Sequence, residues 1–224
     1  MRGWVYPTFM KGLGRAQALP LEALFMSPRD SRGYSLVELL MVVGIIGVLA
    51  AIAVPMSGNA IKYIKVSGDA RDLANATAVT KMRAAAKFTQ ARLYIDITGK
   101  TYYVQTYDKT TSAWVTEGGS TSLANTVSFG YGSVSTPPAN TQSPSIGQAP
   151  LCKNNASPPV DVANTACIVF NSRGIPIDST GSPYGNDAIY VTDGSAVYGI
   201  TIAATGFIRT WRTNATYTPT WTLQ

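Results

Sequence analysis

From Leu39 to Met56 the chain reads LLMVVGIIGVLAAIAVPM, 18 residues without a polar side chain, and no charge follows until Lys62. At about 1.5 Å of rise per residue, a helix of that length crosses the hydrocarbon of a bilayer. Arg29 and Arg32 precede the run, which favours an N-terminus on the cytoplasmic side. Ala51 and Ala53 imitate a secretory cleavage site, but Pro55 and the stretch that follows argue for a retained helix. One residue breaks the pattern. Glu38 sits between Val37 and Leu39, inside the membrane-destined stretch, where a carboxylate is costly. Two readings stand at this point: Glu38 caps the helix start at headgroup level, or it awaits a positive partner.

The rest of the composition narrows function by exclusion. The 224 residues include no histidine and two cysteines, and 13% of them are charged. Without imidazole there is no Ser-His-Asp or Cys-His nucleophile system, and two cysteines alone build no zinc or iron–sulfur site. Acidic residues are scattered, and no glycine-rich phosphate loop follows a strand. An enzyme is the poorest reading, and no cofactor, metal or small-molecule substrate is expected. The low charge and the plentiful Gly, Ser, Thr and Asn point to an exported domain. Of the net charge of +6, half lies before Tyr34, so a basic leader explains it better than a nucleic-acid surface on the folded part.

The stretch Arg32-Gly33-Tyr34-Ser35-Leu36-Val37-Glu38-Leu39-Leu40 resembles the class III signal of type IV pilins and type II secretion pseudopilins. That resemblance implies cleavage by a prepilin peptidase between Gly33 and Tyr34, with N-methylation of Tyr34, where the family usually has Phe. It makes Glu38 the family's glutamate at the fifth mature residue and Pro55 its helix-kinking proline at the twenty-second, both concerned with filament assembly. Physics gives the same roles. The freed α-amino group of Tyr34 on a neighbouring subunit could neutralise Glu38, and in hydrocarbon such a pair would select register. Pro55 lacks an N–H and should bend or locally melt the helix. Residues 1–33 read as leader. Met26 offers an internal start that leaves MSPRDSRG, so residues 1–25 are expected to be a start-site misassignment. The expected location is the inner membrane, single-pass, with the C-terminal domain periplasmic or extracellular and later part of a filament.

The expected fold is α+β and pilin-like: a long N-terminal helix, kinked at the proline, packed on an antiparallel β-sheet. Residues 34–61 form the membrane and filament-core half of the helix, and 62–224 the exported domain. Leu73, Ala76, Val79, Met82 and Ala86 recur at spacings of three or four, which continues the helix to about Phe88 with that stripe on the sheet. Arg92–Thr98 and Thr101–Tyr107 alternate around Gly99-Lys100, a two-residue turn of type II′. Ser112–Glu117 reads as a third strand. From about 118 to 166 Ser, Thr, Pro, Gly and Asn dominate. A short strand within Val127–Val134 is expected there, and otherwise a long exposed loop, either partner-facing or O-glycosylated or disordered. Cys152 and Cys167, 15 residues apart, should pair in an exported protein, adding about 3 kcal/mol through the shortened unfolded loop. Strands follow at Cys167–Asn171, Ala188–Thr192, Ala196–Ile202 and Phe207–Trp211, with turns at Asp193-Gly194 and Thr205-Gly206.

Ile168-Val169-Phe170 through Gly174, and Gly206-Phe207-Ile208-Arg209, resemble the H-type pseudopilin and FimT group of minor subunits. The resemblance implies a minor pilin or pseudopilin, a structural subunit of a type II secretion pseudopilus or a type IV pilus. Its partners would be the prepilin peptidase, other pilins in a helical filament and the assembly platform in the inner membrane. A DNA-binding minor pilin is the alternative: Arg209, Trp211 and Arg212 cluster on the last strand, with Arg173 in an earlier turn, and could meet phosphates and bases. Strand alternation puts Arg209 and Trp211 on one face and Arg212 opposite. A major pilin is a further alternative. Asp178, Asp187 and Asp193 flank Gly- and Ser-rich turns and could offer oxygen ligands to calcium, although turn formation explains them better.

Overall fold

A computed structural model describes residues 33–224. The leader and Met26 lie outside the described residues, apart from Gly33. By its internal contacts the chain divides between Leu49 and Ala50. One helix, α1, runs from Leu36 to Ala86. Its backbone stays helical through Pro55, so of the bend or local melting expected there, the melting does not occur. A proline in mid-helix removes a single N–H from the ladder, and the turns on either side retain theirs.

The body from Ala50 onward contains two five-stranded antiparallel sheets. The first has β1 (Ala91–Asp96) at its centre. Beside it lie β2 (Thr101–Asp108) and β3 (Ala113–Ser122) on one flank, and β5 (Thr165–Phe170) and β6 (Pro176–Ile177) on the other. The second runs β10-β9-β8-β7-β4, from Thr222–Leu223 through Ile208–Asn214, Ala196–Ile202 and Asp187–Thr192 to Ser128–Phe129. The sequence led us to expect one sheet; the short strands β4, β6 and β10, two residues each, carry too little pattern to be seen in advance.

The helix stripe that seals the core is Val66, Ala70, Leu73, Thr77, Thr80 and Ala84, all at 0% exposure. Of the expected stripe Leu73 belongs to it and Ala76 packs at its edge. Val79, Met82 and Ala86 are exposed. The two threonines hide the true stripe. Thr77 Oγ1 donates to Leu73 O and Thr80 Oγ1 to Ala76 O, each at 2.7 Å, so their hydroxyls are satisfied within the helix and their methyls pack as apolar groups. Leu93, Ile95, Ile168 and Phe170 of the first sheet and Val191, Ile200 and Ile202 of the second meet that stripe in one core.

Two local expectations are corrected. The β1–β2 connection is a four-residue loop, 97–100, closed by the Asp96–Thr101 pair. Its left-handed residue is Lys100 (φ 53), and the Gly99 N–H is held by Asp96 Oδ1 at 2.8 Å. An aspartate that can accept that bond overrides the two-residue turn suggested by Gly99. β3 extends beyond Glu117, because a bulge opposite Tyr103 at Gly118 (φ 74) lets pairing resume at Thr121 with Tyr102.

The segment expected as an exposed loop is packed in part: buried residues recur between 123 and 152, whereas 153–164 is largely exposed. Val127, Phe129, Val134, Ile146, Ala149 and Cys152 are buried. Gln148 acts as a surrogate strand residue: its Nε2 donates to Tyr190 O at 2.8 Å and its Oε1 accepts from Tyr190 N at 2.9 Å. Gln142 accepts the Tyr190 hydroxyl at 2.7 Å. The cause is visible in β7 and β8, which are buried along their whole length and need cover on both faces. The helix covers one face. Val134 and Ile146, with Tyr131 and Trp221, cover the other around Tyr190. Cys152 and Cys167 form the expected disulfide.

Helix and the β8–β9 hairpin are locked at one point. Lys81 Nζ donates to Gly206 O at 2.8 Å. A Cβ on Gly206 (φ +76) would lie 2.5 Å from Gly174 O, so two glycine turns nest under one lysine. Gly194 (φ +87) needs the same backbone but faces open space. Gly206→Ala is therefore expected to cost about 3 kcal/mol and Gly194→Ala about 1 kcal/mol, read from urea unfolding midpoints. Equal losses would show that the nesting adds nothing.

Candidate functional site

The head of the helix combines an apolar rod with one carboxylate. Gly33 and Tyr34 precede the helix and are exposed, Tyr34 at 81%. Leu39 N donates to Ser35 O at 3.1 Å as the first turn closes. Glu38 lies in that first turn, where the positive end of the helix favours a carboxylate. It has no ion-pair partner among the described residues. From Leu36 to Val54 the mean hydropathy is 2.7 and none of the segment is buried. This is one helix long and apolar enough to cross a membrane. Left in water, such a surface is unstable, and it must meet lipid or other helices.

The C-terminal arginines do not share one face. In β9, Arg209 is exposed and lies over the Phe207 ring at 5.3 Å. Trp211 is half-buried, its Nε1 donating to Thr201 Oγ1 at 2.9 Å. Arg212 turns to the opposite face, over the Tyr63 ring of α1 at 5.3 Å, with its Nε buried and unbonded. Arg173 is exposed in the turn ending at Gly174, the turn that Gly206 touches.

The three aspartates divide by environment. Asp178 Oδ1 accepts from Thr180 N, Thr180 Oγ1 and Ser182 N at 2.8, 2.7 and 3.0 Å, and these bonds, led by the Thr180 hydroxyl, hold it below its ordinary range. Asp193 Oδ1 accepts from Ser195 N, Ser195 Oγ and Ala196 N. Partial burial works against its ionised form, but these donors still hold it low. Both are turn-forming. Asp187 opens β7, is 3% exposed, and its Oδ1 has no hydrogen-bond partner. Burial, helped by the nearby charge of Asp178, pushes it up to about 7. No group of three or more His, Cys, Asp or Glu that could hold a metal exists among the described residues.

Sequence reasoning passed over Arg92, which is 4% exposed in β1. Its guanidinium lies 4.2 Å from the Trp114 ring centre and 5.4 Å from that of Tyr94. Nε donates to Gln105 Oε1 at 2.7 Å and Nη1 to Lys153 O at 2.6 Å. The available signal was a lone charge in an alternating strand, placed on the face opposite Leu93.

Residues 28–54 match the prokaryotic N-terminal methylation motif. Among solved structures, the chain is similar to the minor pseudopilin EpsH from the type 2 secretion system of Vibrio cholerae, at 10% identity and a TM-score of 0.34, over 71% of this chain and 96% of that one. No curated protein sequence matches this chain at a significant level.

Asp187 makes stability depend on pH in a direction its environment fixes. Its folded value is raised, so between about 4 and 7 the folded chain keeps a proton that the unfolded chain releases. Stability should therefore fall as pH rises through that window and contribute no further change above it. Urea midpoints at successive pH values check this, and Asp187→Asn should flatten the slope; an undiminished slope in that variant assigns it elsewhere.

Proposed function

From the methylation motif at its head, which makes the chain one of the type IV pilin and pseudopilin family, we infer that it is a minor structural subunit of a helical filament. The observation that carries this reading is the exposed apolar helix with a single carboxylate, Glu38, unpaired among the described residues and five residues beyond Gly33. In this account the chain enters the inner membrane with its N-terminus cytoplasmic. A prepilin peptidase cuts after Gly33 and methylates the Tyr34 amine. Extraction from lipid then exchanges acyl chains for neighbouring helices, and Glu38 accepts the positive amine of an adjacent Tyr34. The assembly platform supplies the site of that exchange, and Pro55 the adjustment of the helix within the packed core. The finer assignment to the H-type pseudopilin and FimT-like group is supported by Gly174 and Gly206, whose nested turns seat Lys81. Intact-mass and N-terminal peptide spectrometry, after co-expression with a prepilin peptidase, should give a mature chain beginning at N-methyl-Tyr34. Gly33→Val should remain at full length, and efficient cutting of that variant or cutting elsewhere would refute the assignment.

DNA binding is the second reading, favoured by one observation: Arg209 is exposed, and its hairpin turn touches the turn that carries Arg173. The patch would then be Arg173 with Arg209 and Trp211, while Arg212 packs on Tyr63. Fluorescence anisotropy with duplex DNA, using the chain in detergent micelles, should give salt-sensitive binding. Arg173→Ala with Arg209→Ala should abolish it and Arg212→Ala should leave it intact. Absence of binding at low salt removes this reading and leaves the structural one standing.

A further inference from the structure

A cavity of about 720 Å³ opens between the outer face of the first sheet, the segment following Cys152 and the turn at Asp178–Ser182. That volume suits a small organic ligand. A guanidinium without a counter-ion and a carboxyl without a donor line it. Arg92 is buried with neutral partners only, and no carboxylate among the described residues pairs with it. Burial lowers the guanidinium to about 10, which leaves it charged near neutral pH. Asp187 is equally buried, and no donor among the described residues reaches it. A buried cation without a counter-ion and a buried carboxyl without a donor are both costly, and here both line one cavity without pairing with each other.

We propose that this cavity binds an acidic saccharide, a sugar ring bearing a carboxylate, with Arg92 facing the carboxylate and Asp187 accepting from ring hydroxyls. The remaining guanidinium N–H groups of Arg92 suit a carboxylate, and the free oxygen of Asp187 suits a hydroxyl. Tyr107 and Tyr184 add aromatic surface for the apolar face of a sugar ring. An inorganic anion would leave Asp187 without a donor, and a cation or hydrocarbon would leave Arg92 without a counter-ion. An extended peptide lacks a strand edge to pair with here. Asn155 already bonds both backbone groups of Trp114 on β3, and on β6 Ile177 bridges Pro183 while Tyr184 N donates to Pro176 O. The walls are built before any ligand arrives. The disulfide fixes Cys152 to β5, and Asn154 Oδ1 accepts from Ala156 N at 3.1 Å and Val160 N at 2.9 Å. A pre-formed site loses little to ordering on binding. The proposal is independent of the filament reading.

Titration calorimetry on the full chain in detergent micelles tests it, with methyl β-glucuronide as probe and methyl β-glucoside as its neutral counterpart. The glucuronide should bind saturably and the glucoside at least about ten-fold more weakly. Asp187→Asn keeps the shape of the side chain and should weaken the glucuronide about ten-fold. Arg92→Lys keeps the charge but loses the fork, and should weaken it similarly. The site is refuted if the glucuronide does not saturate, if the glucoside binds equally well, or if both folded variants bind as the parent does. Binding of an acidic peptide in place of the sugar would also overturn it.

Discussion

The organising constraint is a carboxylate placed in a surface that water rejects. Every side chain of the helical head from Leu36 to Val54 lies open, and Glu38 is the one ionisable group among them. A single charge in hydrocarbon is tolerated when a partner neutralises it, so the same residue that hinders a solitary helix rewards a packed one. On the filament reading proposed above, this asymmetry gives the head two uses in sequence: an anchor in lipid, then a rod that joins other rods in a fixed register.

The body answers a different requirement. From Val66 onward the helix presents Val66, Ala70, Leu73 and Ala84 to two sheets, and Thr77 and Thr80 enter that seam because their hydroxyls bond to the preceding turn. Other ties bind the helix to distant chain segments. Lys81 holds the β8–β9 hairpin through Gly206, Asp69 accepts the Ala124 N–H at 2.9 Å, and Arg83, with Lys87 just past the helix end, converges on Glu117 of β3. Each crosses a large sequence separation, so the helix fixes the position of elements that the local sequence leaves undetermined.

Legibility in the sequence followed the range of the interaction. The methylation motif and the apolar helix of the head were legible, because Gly33, Glu38 and the apolar run stand close together in the sequence. Strands β1, β2, β7 and β8 were legible from alternation or unbroken apolar runs, and the Asp193-Gly194 turn from its residues. The helix stripe was displaced, since hydropathy favours Val79 and Met82 over the threonines that seal the core. The long Ser- and Pro-rich segment hid its role because its buried residues, Val134 and Ile146 among them, stand far apart and follow no period. The mostly apolar runs of β7 and β8 carry the need for cover on both faces, but not the identity of the segment that supplies it. Arg92 and Asp187 converge on one cavity from strands in different sheets, which no local pattern encodes.

The account rests on Glu38 acting in assembly rather than in insertion or folding. The most direct measurement compares the parent with Glu38→Gln in cells that make the complete machine. It follows membrane insertion, cleavage after Gly33 and recovery in the sheared filament fraction. The account predicts normal insertion and cleavage for Glu38→Gln with a loss of about ten-fold or more from filaments. Recovery in filaments at the parent level would contradict it, and failure of insertion would assign the carboxylate to the membrane step instead.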